Sequence, residues 1–127
     1  MVAFVNQLDL YMSKVTIYHN PRCSKSRQTL ALLEENGVSP DIVLYLETQP
    51  DAAEINGLLK KLGIKAADLV RRGEQDYKDC GLSRDSSDEE LVAAMAGHPK
   101  LIERPIVVKG RKAVLGRPPE NVLALLD

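Results

Sequence analysis

Residues 15–45 read as strand, helix and strand in direct succession, and this order restricts the fold more than any other stretch of the chain. Val15-Thr16-Ile17-Tyr18 is β-branched and alternating, which favours an extended segment. From Gln28 to Glu35 the apolar residues recur at helical spacing, with Leu30, Leu33 and one of Ala31 or Leu32 on the inward stripe. Asn36-Gly37 supplies a C-cap, and Pro40 bars continuation. Asp41-Ile42-Val43-Leu44-Tyr45 then runs apolar without alternation, the pattern of a buried parallel strand. Two strands joined by one crossover helix form a βαβ unit, so they are expected to be parallel with a right-handed connection.

The second half has another rhythm. Asp51 caps a helix to Leu62, with Ile55, Leu58, Leu59 and Leu62 in register and Gly63 as the stop. A short helical piece follows over Lys65 to Val70, then a polar loop with helical turns from Gly73 to Ser87. Ser87 or Asp88 caps a further helix to Ala96, with Leu91, Val92 and Met95 inward and His98-Pro99 helping to end it. Ile106-Val107-Val108-Lys109, the two-residue turn Gly110-Arg111 and Lys112 to Leu115 make a hairpin. Pro118 or Pro119 opens a last helix to Leu126. A βαβ half, a helical insertion over about residues 51–100 and a ββα half together describe an α/β, thioredoxin-like (glutaredoxin-like) mixed sheet flanked by helices. In that fold class the proline ahead of the third strand is cis and adjoins the active-site cysteine, and Arg104-Pro105 holds that place.

With 127 residues, 44% hydrophobic and 28% charged, the chain is long enough for one such domain, expected over residues 13–127. Residues 1–12 read as an N-terminal extension, with Met12-Ser13-Lys14 looking like an alternative beginning. A formal net charge of -1 gives no general attraction to nucleic acid or an anionic membrane surface. No apolar run nears the ~20 residues of a membrane span. Cys23 and Cys80 form neither a disulfide framework nor a metal-ligand spacing, so a reducing, cytoplasmic setting without bound metal or cofactor is expected. Cys80, beside Asp79, reads as a loop residue.

The chemistry concentrates in Asn20-Pro21-Arg22-Cys23-Ser24-Lys25-Ser26-Arg27, where the first strand turns into the first helix. A helix N-terminus offers unpaired backbone N–H groups and the positive end of the macrodipole, which attract anions and stabilise a thiolate. Arg22, Lys25 and Arg27 lie within four residues of Cys23 and add positive charge. A cysteine so placed is a candidate nucleophile inside an anion site. Arg104 and Arg117 stand at the ends of the terminal hairpin, which this topology brings towards Cys23. Guanidinium forks suit tetrahedral oxyanions and keep their charge at any working pH.

His19 to Arg27, Leu44-Tyr45-Leu46, Leu69-Val70-Arg71, Glu103-Arg104-Pro105-Ile106-Val107-Val108 and Gly116-Arg117-Pro118 together resemble the glutaredoxin-coupled arsenate reductase (ArsC) family. The resemblance spans about residues 14–126, in consistent order and spacing. It implies reduction of arsenate to arsenite through one nucleophilic cysteine, with glutathione as co-substrate and glutaredoxin as partner. By motif position it makes Cys23 the nucleophile, His19 the histidine that tunes the thiol, and Arg71, Arg104 and Arg117 the oxyanion-binding arginines. Ser24, Lys25 and Ser26 complete the loop around the anion. The resistance enzymes of the family carry Gly-Thr after the cysteine, so Cys-Ser-Lys-Ser-Arg looks like a side branch, which leaves another oxyanion open as substrate. Spx-type regulators share the fold and bind a partner rather than turn over a substrate. They carry Cys-x-x-Cys at this place, and here the last position is Ser26.

Overall fold

The computed structural model describes residues 14–126. The extension expected at residues 1–12 lies outside them.

The first strand, β1 (Val15–Tyr18), leads through a tight loop into helix α1 (Ser24–Glu35) and returns as β2 (Asp41–Val43). β1 and β2 are parallel, with Ile17 opposite Ile42. The hairpin follows as β3 (Ile106–Lys109) and β4 (Lys112–Leu115), turning at Gly110 with φ +61°. β3 is antiparallel to both β1 and β4. The result is a four-stranded mixed sheet in the order β2-β1-β3-β4, as the thioredoxin-like reading requires.

β2 departs from expectation. It is three residues long and lies at the sheet edge, with Asp41 exposed and Ile42 half exposed at 50%. The apolar run from Ile42 to Leu46 is instead divided between a short strand and a helical turn, α2 (Tyr45–Thr48), whose Tyr45 is buried. An unalternating apolar run cannot by itself be told from a buried turn. β3 is the strand covered on both faces: Ile106, Val107 and Val108 are all buried.

Each face has its own core. On one, α1 and the C-terminal segment, a 3-10 turn Pro119–Val122 running into α7 (Leu123–Leu126), bury Val15, Ile17, Leu33, Val107, Val122 and Leu125. On the other lies the insertion: α3 (Ala52–Leu62), α4 (Ala66–Leu69), α5 (Gln75–Asp79), α6 (Asp88–Gly97) and a 3-10 turn Pro99–Leu101. Ile55, Leu58, Leu69, Leu91, Met95 and Leu101 pack there against Ile106, Val108 and Ala113. The caps read from the sequence are in place. Asp51 accepts from the Glu54 N–H at 2.8 Å, Ser87 accepts from the Glu90 N–H at 3.1 Å, and Gly63 closes α3 with φ +68°.

The insertion is sewn to the sheet entrance by one antiparallel bridge, Val70 with Ile102. Its two flanking bonds run from the Arg71 N–H to the Leu101 carbonyl at 2.7 Å and from the Glu103 N–H to the Leu69 carbonyl at 2.9 Å. This short ladder delivers Arg71, from the insertion, beside Glu103 and Arg104, which lead into β3.

Candidate active site

Cys23 is the N-cap of α1, with extended backbone at φ -93° and ψ 122°. Its N–H bonds the Asn20 carbonyl at 3.0 Å, and its own carbonyl accepts the first helical bond from Arg27 at 3.0 Å. Cys23 makes no side-chain capping bond. The amides of Ser24, Lys25 and Ser26 have no intrahelical acceptor, by the geometry of a helix start. The half-buried thiol therefore sits beside three converging N–H groups and the positive end of a twelve-residue helix.

The preceding loop is braced from within. Asn20 Oδ1 accepts from the Arg22 N–H at 3.0 Å, and Arg27 Nη1 donates to the Pro21 carbonyl at 2.8 Å. Arg27 thus clamps the loop. Ser26, fully buried, has its hydroxyl turned inward: it accepts from the Asn20 N–H at 3.0 Å and lies 2.7 Å from His19 Nδ1. With one lone pair so used, the pairing that satisfies every group has Ser26 donating to Nδ1, which puts the proton of a neutral imidazole on Nε2. Ser26 then offers an anion only its backbone N–H. Ser24 and Lys25 are exposed on the first turn.

His19 is 6% exposed. Burial lowers its pKa, and the Arg27 charge lowers it further, so the imidazole is neutral at pH 7. A neutral imidazole can act on Cys23 through hydrogen bonding rather than through a positive charge. His19 reaches the first turn through Ser26.

Two of the three arginines named by motif meet around one carboxylate. Arg117 Nη1 is 3.9 Å from Cys23 Sγ and donates to the Arg104 carbonyl at 3.3 Å, while its Nε lies 3.6 Å from Glu103 Oε1. Arg71 Nη1 lies 3.4 Å from the same Oε1, and its Nε 3.4 Å from Glu74 Oε1. Glu103 Oε1 also accepts from the Arg104 N–H at 3.2 Å. Arg104 stands differently: its Nε is buried and has no hydrogen-bond partner among the described residues.

Close backbone approach brings Arg117 to the thiol. The Gly116 N–H bonds the Pro105 carbonyl at 2.9 Å. A Cβ on Gly116 would meet Thr29 Oγ1 at 2.6 Å and Pro105 Cγ at 2.8 Å, so only glycine lets this strand end lie against α1. Asn121 Nδ2 donates to the Leu115 and Arg117 carbonyls at 3.1 and 3.2 Å, holding the loop from behind. Arg104-Pro105 is cis, as expected, and Arg117-Pro118 is cis as well, which nothing in the local sequence signals.

Two residues escaped the sequence reading. Glu103 stands in the Glu103-Arg104-Pro105 stretch, where sequence alone gives its carboxylate no partner. Tyr45 was assigned to a strand core, yet it lines a cavity of about 250 Å³ with Asn20, Arg22, Lys100 and Arg104. Burial pushes the Tyr45 phenol well above its ordinary pKa, and the Cys23 charge adds to the rise, so it is a neutral donor. Its only sequence signal was an aromatic inside the motif Leu44-Tyr45-Leu46. Cys80 caps α5, far along the chain, and His98 caps α6 and pairs with Asp76 at 3.5 Å. Among the described residues no three His, Cys, Asp or Glu gather as a metal site, and no helix is long and apolar enough to cross a membrane.

The arrangement can hold a tetrahedral anion against a thiol, and comparison with known proteins agrees in kind. The family model described as the ArsC family matches residues 18–125. The chain is 57% identical over 115 residues to the uncharacterised protein YfgD of Escherichia coli K12, covering 89% of this chain and 97% of that one. It is 51% identical over 114 residues to the arsenate reductase of Haemophilus influenzae, covering 88% and 98%. The solved arsenate reductase of Vibrio cholerae superposes with a TM-score of 0.86 at 51% identity, over 89% of this chain and 98% of that one.

Proposed function

Because the chain belongs to the ArsC family, we propose that it is an arsenate reductase in which Cys23 is the nucleophile. One observation carries the reading: the Arg117 guanidinium stands 3.9 Å from Cys23 Sγ at the amide-rich start of α1. Nucleophile and oxyanion donors so close can serve one tetrahedral ligand.

In this mechanism arsenate binds against the Ser24, Lys25 and Ser26 amides, with Arg71, Arg104 and Arg117 around its oxygens. The Cys23 thiolate attacks arsenic, and an arsenate oxygen leaves as water after protonation. Glutathione thiolate then attacks the Cys23 sulfur. The glutathione electron pair forms the S–S bond, the S–As bond breaks with its pair going to arsenic, and As(V) departs reduced as arsenite. A glutaredoxin thiol takes the glutathionyl group by exchange and restores Cys23. Ser26 standing where a second thiol would lie supports an external resolving thiol.

The test is arsenate-dependent NADPH oxidation with glutathione, glutathione reductase and glutaredoxin present. Wild type is expected to turn over and Cys23→Ser to fall to background; equal rates for the two would overturn the assignment. Ser24-Lys25 after the cysteine favours one second reading, the same thiol chemistry on another tetrahedral oxyanion. Full activity on that anion with none on arsenate would select it.

A further inference from the structure

Glu103 belongs to the Glu103-Arg104-Pro105 stretch but has no part in the proposed reaction, and its carboxylate lies between Arg71 and Arg117. Its Oε1 faces Arg71 Nη1 at 3.4 Å and Arg117 Nε at 3.6 Å, while the Arg104 N–H at 3.2 Å fixes the carboxylate to its own turn. Charge-assisted N–H···O bonds ordinarily close to ~2.7–2.9 Å. Both guanidinium contacts are longer, so the single carboxylate offsets part of the charge of the two arginines without holding either tightly. The carboxylate is 28% exposed, enough for water to take its place beside the arginines at modest cost. Arg104, by contrast, keeps a buried Nε with no partner.

We infer that Glu103 is the resident counter-ion of the oxyanion site and sets how tightly that site takes its anion. Together with Glu74, 3.4 Å from Arg71, it offsets the charge of Arg71 and Arg117, and an entering oxyanion competes with it for the same two guanidinium groups. Arg104, whose buried Nε has no hydrogen-bond partner among the described residues, meets the anion without that competition. Coulomb repulsion between the fixed carboxylate and a bound oxyanion weakens binding of any such anion. Glu103 is thus a positioning residue that sets the site's affinity through the arginines. The inference rests on the anion site of the proposed function, but its test requires no arsenate turnover.

The probe is inorganic phosphate, a tetrahedral oxyanion without redox chemistry. Iodoacetamide alkylation of Cys23 is followed by peptide mass, which separates it from Cys80, at rising phosphate concentrations and constant ionic strength. Glu103→Gln and Glu103→Ala are each expected to lower the half-protecting phosphate concentration by about fivefold at low salt, with the gain shrinking as salt rises. Glu103→Asp, which restores the charge, is expected to return it towards the wild-type value. A merely structural role would move Gln and Ala in opposite degrees and leave Asp impaired. Weaker or unchanged protection in Glu103→Gln would overturn the inference and make Glu103 a tether. Wild-type protection by phosphate alongside absent arsenate turnover would count against the proposed reaction while leaving the anion site intact.

Discussion

At the scale of single residues the site is a balance between groups that face the ligand and groups that hold them. His19 illustrates the second kind. Its folded pKa lies below the ordinary value of ~6.5 because burial and Arg27 disfavour the imidazolium. Unfolding therefore lets His19 take up a proton under mildly acidic conditions. Its contribution to stability is present in full above pH ~6.5 and is lost as pH falls through the lower folded value. Urea midpoints are expected to drop between pH 7.5 and 5 by more in wild type than in His19→Gln, and parallel curves would refute this. Of these residues the sequence made the charged and reactive ones legible, because Cys23, Arg71, Arg104 and Arg117 sit in conspicuous settings. Glu103 and Ser26 were not readable as partners, since a carboxylate's or hydroxyl's role here depends on which donor the fold brings within 3.6 Å.

At the scale of elements the question is how β4 brings Arg117 to a thiol that is distant in sequence. The crossing of α1 with the strand end depends on Gly116, since a methyl there would strike Thr29 Oγ1 at 2.6 Å and Pro105 Cγ at 2.8 Å. Thr29 is itself buried and bonded, its Oγ1 lying 2.8 Å from the Lys25 carbonyl and 3.2 Å from that of Gly116. Gly116→Ala is expected to cost roughly 1–3 kcal/mol by overpacking, and by displacing Arg117 to weaken protection of Cys23 by phosphate. Chemical denaturation with the alkylation assay reads both, and a well-folded variant with unchanged protection would show the approach to be incidental. The longer helices, the caps at Asp51, Gly63 and Ser87 and the hairpin were legible, because capping residues and turn glycines act locally. β2 was not. Ile42 to Leu46 offers the same apolar run whether it continues a strand or breaks into a buried turn at Tyr45, and only the edge position of β2 decided it.

For the molecule as a whole, the two cores lie on either face of the sheet, and the candidate site is assembled from both sides of it. α1 and the C-terminal segment belong to one face, Arg71 and its insertion to the other. The Leu69–Arg71 and Leu101–Glu103 bridge is where they join. Removing Met95, which is fully buried beneath the insertion, is expected to loosen that join. Met95→Ala should cost about 2–5 kcal/mol and speed amide hydrogen exchange at Arg71 and Glu103 far more than along α1. Uniform acceleration would mean the faces open together. Sequence order was enough to anticipate this division, since the insertion separates the βαβ half from the hairpin; the bridge was not, because a two-bond ladder leaves no periodicity to read. One further consequence follows from the start of α1. The position that begins the helix holds a thiol where serine, threonine, aspartate or asparagine would each accept a bond from the first-turn amides. In the proposed reaction those amides serve the anion, and the Cys23 side chain makes no capping bond to them. Cys23→Ser, the variant expected to be inactive, should then melt at a higher temperature than wild type, by the equivalent of about 0.5–1 kcal/mol. Reactivity and robustness select different side chains at this position, and the chain has kept the one that makes it easier to unfold.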